Sequence, residues 1–387
     1  MSTEFIKMVA ELHTEKFNSH IQKLAHDKTP CGIFFGFEVV PSNVVNIVQA
    51  LRDRGINFSC VIVLADVQAD ALRKFIDLPV ITLEDFPRFG EENFPVKPQE
   101  VFFITNLQDF GFVPYFTSYG MEVLTYSDDG QFFFMMTHLP ELYNVYNMFG
   151  SDESKKVFCA AIRGRLTGKI SDYRFAPEPQ YFLEGFYPSA GDIAIDGGAY
   201  DGGTAIAFAK CGAKVFAFEM NAENYKNCAA RLNDSKFDVT LENLGLSDKE
   251  SVENYAHIGA ASRKLPQGNL KANFIDLDSY VAKKKLPRVD YIKLDIEGAE
   301  LDMLHGAAKT ITRCKPKMAV SAYHKPEDLW TLATYIKSLC HDYEFEFRHY
   351  RIDSTDYMLN DTERSLLRYF GLNYLVPTNC ELVLYCR

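Results

Sequence analysis

Two closely spaced glycine pairs, Gly197-Gly198 and Gly202-Gly203, constrain this chain more than any other feature. They follow the apolar run Ile193-Ala-Ile195 and precede Ala205-Ile-Ala-Phe-Ala209. An apolar run without polar alternation predicts a parallel strand covered on both faces. Glycines at its end let the backbone turn sharply and approach a ligand where a side chain would collide. The next apolar stretch continues as a helix whose N-terminus faces that ligand. Strand, tight turn and helix in this order begin a βαβ unit, so the segment belongs to an α/β domain.

The alternation continues on both sides of the turn. Strands are expected over Lys214 to Glu219, Val239 to Asp248, Val289 to Asp295 and Lys317 to His324, with helices over Asn221 to Leu232 and Glu327 to Leu339. A short strand at Phe274 runs into a helix, and Tyr343 to Tyr350 with Glu381 to Cys386 closes the sheet as an antiparallel pair. Before the turn, strands at Cys31 to Gly36, Phe58 to Ala65 and Val80 to Thr82, two more starting at Val101 and Met121, and a helix over Pro41 to Asp53 describe a smaller doubly wound domain. Pro177, Pro179 and Pro188 break any long helix between the two. The expected organisation is a small Rossmann-like α/β domain over 1–150, a helical and irregular connection over 151–190, and the main domain over 191–387.

At 387 residues the chain exceeds one ordinary core. A net charge of -11 argues against nucleic acid or an anionic membrane surface as partner, because both need a basic footprint. The nine cysteines include no C-x-x-C pair, which argues against a zinc site and a disulfide framework and points to a reducing, cytoplasmic setting. No run of about 18 apolar residues occurs, so no membrane-spanning helix is expected.

Charge at the glycine turn selects the ligand. Asp196 ends the first strand of the main domain, where a carboxylate repels a pyrophosphate and attracts an ammonium or sulfonium group. The pattern Asp-Gly-Gly-x-x-x-Gly also departs from the dinucleotide fingerprint, so S-adenosyl-L-methionine fits better than NAD. Glu219 ends the second strand, where a carboxylate accepts hydrogen bonds from both ribose hydroxyls. Asn221 caps the following helix, and Asn243 stands at the third strand's turn, placed to reach an adenine; an ordinary turn role competes. The cofactor candidates are thus Asp196, Gly197, Gly198, Gly202, Glu219, Asn221, Asn243 and Asp295.

In Val289-Asp-Tyr-Ile-Lys-Leu-Asp-Ile-Glu-Gly-Ala-Glu300, a buried Lys293 needs a partner, and Asp295 is the nearest acid in sequence. Asp295 faces the crevice at the strand ends, while Glu297 and Glu300 open the next helix. His324, at the end of the fifth strand, is a candidate general base beside Asp295 and Glu297. Gln180, Tyr181 and Tyr187 stand where a lid would sit, with packing as the alternative. Arg163, Arg165, Lys169 and Arg174 would suit a phosphate-bearing sugar, with a solvated helix face as the alternative. In the first domain the turn after Gly36 carries no further glycine, which favours a scaffold or docking role over nucleotide binding. Its aromatic residues Phe110, Phe112, Tyr115, Phe116, Tyr119 and Phe132 to Phe134 suit either core or an oligomer or sugar surface.

Together Asp196-Gly-Gly-Ala-Tyr-Asp-Gly-Gly-Thr204, Phe216-Ala-Phe-Glu-Met-Asn-Ala-Glu-Asn224, Asn243-Leu-Gly-Leu-Ser-Asp248, Lys293-Leu-Asp-Ile-Glu-Gly-Ala-Glu300 and Ser321-Ala-Tyr-His-Lys-Pro-Glu-Asp-Leu-Trp330 resemble the FkbM family of S-adenosylmethionine-dependent methyltransferases. The resemblance covers about Pro179 to Arg387. It implies a class I (Rossmann-like) methyltransferase domain preceded by a smaller α/β domain, with O-methylation of a sugar, glycan or related metabolite. By position it places Asp196, Gly198 and Glu219 on the cofactor and Asp295 beside the methyl donor. Gly245 and Met220-Asn221 depart from the family's usual residues. Removal of the acceptor proton is expected from Asp295, Glu297 or His324. No metal is expected, a divalent ion on Asp295, Glu297 and another acid being the lesser alternative. The rival functions are an NAD-dependent oxidoreductase and a non-catalytic docking protein with a retained pocket.

Overall fold

The structure is a computed structural model describing residues 3–14, 20–36, 39–88, 98–103, 111–125, 134–233, 236–258, 261–353, 365, 368–372, 375–376 and 380–387. The chain forms two compact units, neither continuous in sequence. The first comprises Met1–Leu139, Lys156–Phe175 and Arg351–Asn379, and the second Pro140–Lys155, Ala176–Tyr350 and Cys380–Arg387.

Five strands build the first unit: β1 (Pro30–Phe35), β2 (Asn57–Val63), β3 (Val80–Thr82), β4 (Glu100–Phe103) and β5 (Glu122–Thr125). All pairings are parallel, in the order β3-β2-β1-β4-β5. Helix Pro41–Asp53 begins with proline, whose missing N–H costs nothing in a first turn, and buries Val44, Val48 and Leu51 along one stripe. Phe112 and Phe116 are fully buried core, while Tyr119 is exposed; Phe37, Glu38, Phe110, Phe132 and Phe133 lie outside the described residues. Arg163 is engaged by Asp172 at 3.2 Å within this unit. Two short strands late in the chain, β16 (Ile352–Asp353) and β17 (Leu375–Val376), pair antiparallel here.

The second unit carries β6 (Ile193–Gly197), β7 (Lys214–Phe218), β8 (Val239–Glu242), β13 (Tyr291–Leu294), β14 (Lys317–Ser321), β15 (Phe345–His349) and β18 (Leu382–Cys386) in one sheet. Its order is β15-β18-β14-β13-β6-β7-β8, parallel except for β18, which runs antiparallel to both neighbours. Interior strands are buried along nearly their whole length, as expected where helices cover both faces. The chain leaves β6 for β7 on one side, and β13 flanks it on the other. That reversal opens a crevice at the strands' C-terminal ends, where ligands of open α/β sheets bind.

A second, four-stranded sheet stands in this unit, of which the expected strand at Phe274 is one member. Strands β9 (Gly245–Leu246), β10 (Ser251–Ile258), β11 (Ala261–Lys264) and β12 (Leu270–Ile275) order as β11-β10-β12-β9. Its strands mix polar and apolar residues, so no continuous apolar run marks it; Tyr255, Ala272 and Phe274 form its small core against Met220. Among the described residues, no helix is long and apolar enough to cross a membrane. No disulfide forms among the described residues.

Candidate functional site

The site gathers where β6, β7, β13 and β14 end. Gly198 follows β6 with φ +79°, and a Cβ there would stand 1.8 Å from the Asp295 carbonyl oxygen. Only glycine permits this contact between the turn and the end of β13. Gly202, also left-handed at φ +82°, precedes helix Gly203–Lys210, and a Cβ would meet Cys228 Sγ at 2.8 Å. Asp201 Oδ1 accepts from the Gly203 N–H at 2.9 Å, so that helix start is capped from within.

Asp196 is fully buried, and its partner is Lys293 at 3.1 Å. The expected pairing of Lys293 with Asp295 is thereby corrected. In the β13–β6 register Lys293 lies directly opposite Asp196, so the two side chains share one face of the sheet. The ammonium also donates to the Gly197 and Gly198 carbonyls at 3.1 and 2.7 Å, tying the glycine turn to β13. Burial raises the Asp196 pKa, with Lys293 opposing the rise. Burial alone would lower that of Lys293, but Asp196 and Asp295 outweigh it and hold it above its ordinary value.

Glu219 ends β7 with both carboxylate oxygens anchored. The Tyr200 N–H donates to Oε2 at 2.9 Å and the Asn221 N–H to Oε1 at 2.8 Å. Burial raises its pKa, and these two N–H groups counter the shift. Asn221 faces the helix: Oδ1 accepts from the N–H groups of Glu223 and Asn224 at 2.8 and 3.0 Å, and Nδ2 donates to Ser262 at 3.1 Å. Asn221→Ala is expected to lower stability by about 1 kcal/mol, as for other lost N-caps, measured by urea unfolding. Asn243 is exposed; its Nδ2 donates to the Glu219 carbonyl at 2.8 Å and so pins the backbone beside the acid.

The acid-rich end of the site is built around Asp295. Tyr181 donates to its Oδ2 at 2.8 Å and Tyr323 to its Oδ1 at 3.0 Å. Burial favours the neutral acid, but Lys293 and His324 outweigh it and hold Asp295 below the usual carboxylate range. His324 brings Nε2 to 3.5 Å from both Asp295 Oδ1 and Glu297 Oε2, and Nδ1 to 3.0 Å from Glu300 Oε1. Burial lowers the histidine pKa, but Glu300, Asp295 and Glu297 more than reverse this and lift it to about 10. His324 thus stands within 3.5 Å of three acids, Asp295, Glu297 and Glu300. Glu297 lies in the turn before helix Glu300–Gly306, with φ +58°, instead of opening that helix.

Sequence reasoning missed Tyr323 and Glu381. Glu381 precedes β18, and β18 inserts next to β14 with Val383 opposite Ser321, which carries the acid to the site from the far end of the chain. Tyr323 lies 3.4 Å from Glu381 Oε1, and Gln180 donates to Oε2. Burial, then Asp295, pushes the Glu381 carboxyl up to about 7. Of the residues expected as lid or packing, Tyr181 is buried and hydrogen-bonds Asp295, and Tyr187 packs on Phe182. Tyr181, Tyr200, Glu297 and Glu381 all have positive φ, between 49° and 68°. Such backbone strain in non-glycine residues concentrates where side chains must be aimed for function.

Residues 196–352 match the family described as Methyltransferase FkbM domain. The fold is similar to the crystal structure of methyltransferase FkbM from Methylobacillus flagellatus KT, with a TM-score of 0.65 and 17% identity over 99% of this chain and 98% of that one. Weaker likenesses are a putative rRNA-methylase from Clostridium thermocellum (TM-score 0.30, 13% identity, 52% of this chain and 87% of that one). Another is a putative methyltransferase from Streptococcus mutans in complex with SAH (TM-score 0.29, 15% identity, 52% and 90%). No curated protein matches the sequence. The main sheet is an open, Rossmann-like α/β sheet with β18 as its antiparallel member, a fold shared with the Methylobacillus flagellatus structure.

Proposed function

Because this chain carries an FkbM methyltransferase domain, we propose that it transfers a methyl group from S-adenosyl-L-methionine to a hydroxyl oxygen of a sugar, glycan or related metabolite. The observation that carries this reading is the meeting of three strand ends: the Gly198 turn, the anchored Glu219 carboxylate and Asp295. The residues present fit the cofactor, since Glu219, fixed at the end of β7 by two backbone N–H groups, offers a placed acceptor for ribose hydroxyls. When bound, S-adenosylmethionine would supply an electrophilic methyl group, its sulfur keeping the electron pair of the C–S bond.

The chain's own residues have two tasks. Gly198 and Glu219 hold the adenosyl portion and fix the line of attack. Asp295, ionised and oriented by Tyr181 and Tyr323, accepts the hydroxyl proton as the acceptor oxygen forms its new C–O bond. Asp295, Glu297, Glu300 and Glu381 line the reacting end, a charge pattern that favours a neutral polyol over a phosphate-bearing one.

Calorimetric titration with S-adenosylmethionine, S-adenosylhomocysteine and NAD tests the reading, followed by labelled methyl transfer to a panel of sugars. The first two should bind and NAD should not. Glu219→Ala should lose about 1.5–3 kcal/mol of affinity, roughly 10- to 100-fold, because two ribose hydroxyls lose a charged acceptor. Absence of adenosyl binding in folded protein would overturn the function.

A further inference from the structure

We propose that Asp295, Glu300 and His324 bind a divalent first-row cation of the manganese type at the acceptor end of the site. A ring nitrogen of His324 and one oxygen from each carboxylate lie within 4.8 Å of one another. This is the one such group among the described residues. The parts come from three places: the end of β13, the start of helix Glu300–Gly306, and the turn after β14.

Two further observations point to a ligand. Glu300 is fully buried, and its Oε2 has no hydrogen-bond partner among the described residues, a costly state for a carboxylate. The His324 side chain is 7% exposed, and neither ring nitrogen makes an aligned hydrogen bond, although carboxylate oxygens stand 3.0 and 3.5 Å away. Short but misaligned contacts are what neighbouring ligands of one cation show. Two donors each about 2.1 Å from an ion, at a right angle, are about 3.0 Å apart and do not point at each other. Two carboxylates with one imidazole suit manganese, iron or zinc better than magnesium or calcium, which favour all-oxygen shells. A three-ligand site leaves coordination positions open for the acceptor hydroxyl, whose pKa the cation would lower beside Asp295. The ion's role at that oxygen rests on the methyl-transfer function proposed above; its binding does not.

The test is a manganese titration of chelator-treated full-length protein, followed by the electron-paramagnetic-resonance signal of free Mn²⁺, with S-adenosylhomocysteine titrated into the same sample. One ion per chain should bind, and Glu300→Gln and His324→Gln should each weaken it at least about tenfold. Circular dichroism checks that each variant is folded, and Asp295→Asn reads the same site should either fail. No saturable binding, or binding indifferent to these substitutions, overturns the cation site. Retained S-adenosylhomocysteine binding would then leave the methyltransferase reading standing, whereas loss of both in folded protein would remove both.

Discussion

Gly198→Ala is expected to reduce turnover at least about 100-fold and to weaken S-adenosylhomocysteine binding in a protein that still folds. The new Cβ would lie 1.8 Å from the Asp295 carbonyl oxygen and 2.9 Å from its carbonyl carbon, both backbone atoms. No rotamer change relieves such a clash, so the turn or the end of β13 must move by roughly 1 Å. The φ of +79° adds strain of about 1–3 kcal/mol for any residue with a side chain. Either displacement separates Glu219 from Asp295, and with them the two ends of the line along which the methyl moves. Calorimetry and labelled-methyl assays on the variant read this directly. Affinity and turnover within a few-fold of wild type would show that the turn and β13 do not meet as described.

Lys293→Met should destabilise the protein by about 3–5 kcal/mol near neutral pH, because it leaves the Asp196 carboxylate buried without its partner. The deficit should depend on pH, and its sign follows from Asp196. Burial, the largest influence, already raises the folded pKa of this carboxyl, and Lys293 opposes it. Without the lysine the native carboxyl holds its proton to still higher pH than the unfolded one. Its stabilising contribution is then complete below about pH 4, the unfolded value, and lost as pH rises through the folded value. Urea unfolding should therefore show a smaller deficit at pH 5 than at pH 8. The double variant Asp196→Asn with Lys293→Met should recover part of the loss. An equal deficit at both pH values would mean that the lysine does not serve Asp196.

Local order was legible in the sequence wherever an apolar run was continuous. The helix Pro41–Asp53 and the strand Val80–Thr82 fall at their expected bounds, because proline, periodicity and flanking polar residues mark both. The sheet over Gly245 to Ile275 was not legible beyond a short strand at Phe274, since its strands carry mixed polar sequence with no continuous apolar run. Within the site, Glu219 and Asp295 announced themselves as acids at strand ends. Tyr323 and Glu381 did not, because a tyrosine beside a histidine and a glutamate before a terminal strand carry no local signal.

By itself the sequence determined the α/β alternation, the glycine turn and the acids that end β7 and β13, since each depends on residues within a few positions of one another. Tertiary structure alone decided which charges meet. Lys293 pairs with Asp196 because strand register sets them opposite each other, not with Asp295 two residues away. His324 faces Glu300 because β13 and β14 are neighbours in the sheet, and Glu381 reaches Tyr323 because β14 and β18 are. Partnership between distant residues follows from strand order and register, which no local pattern encodes.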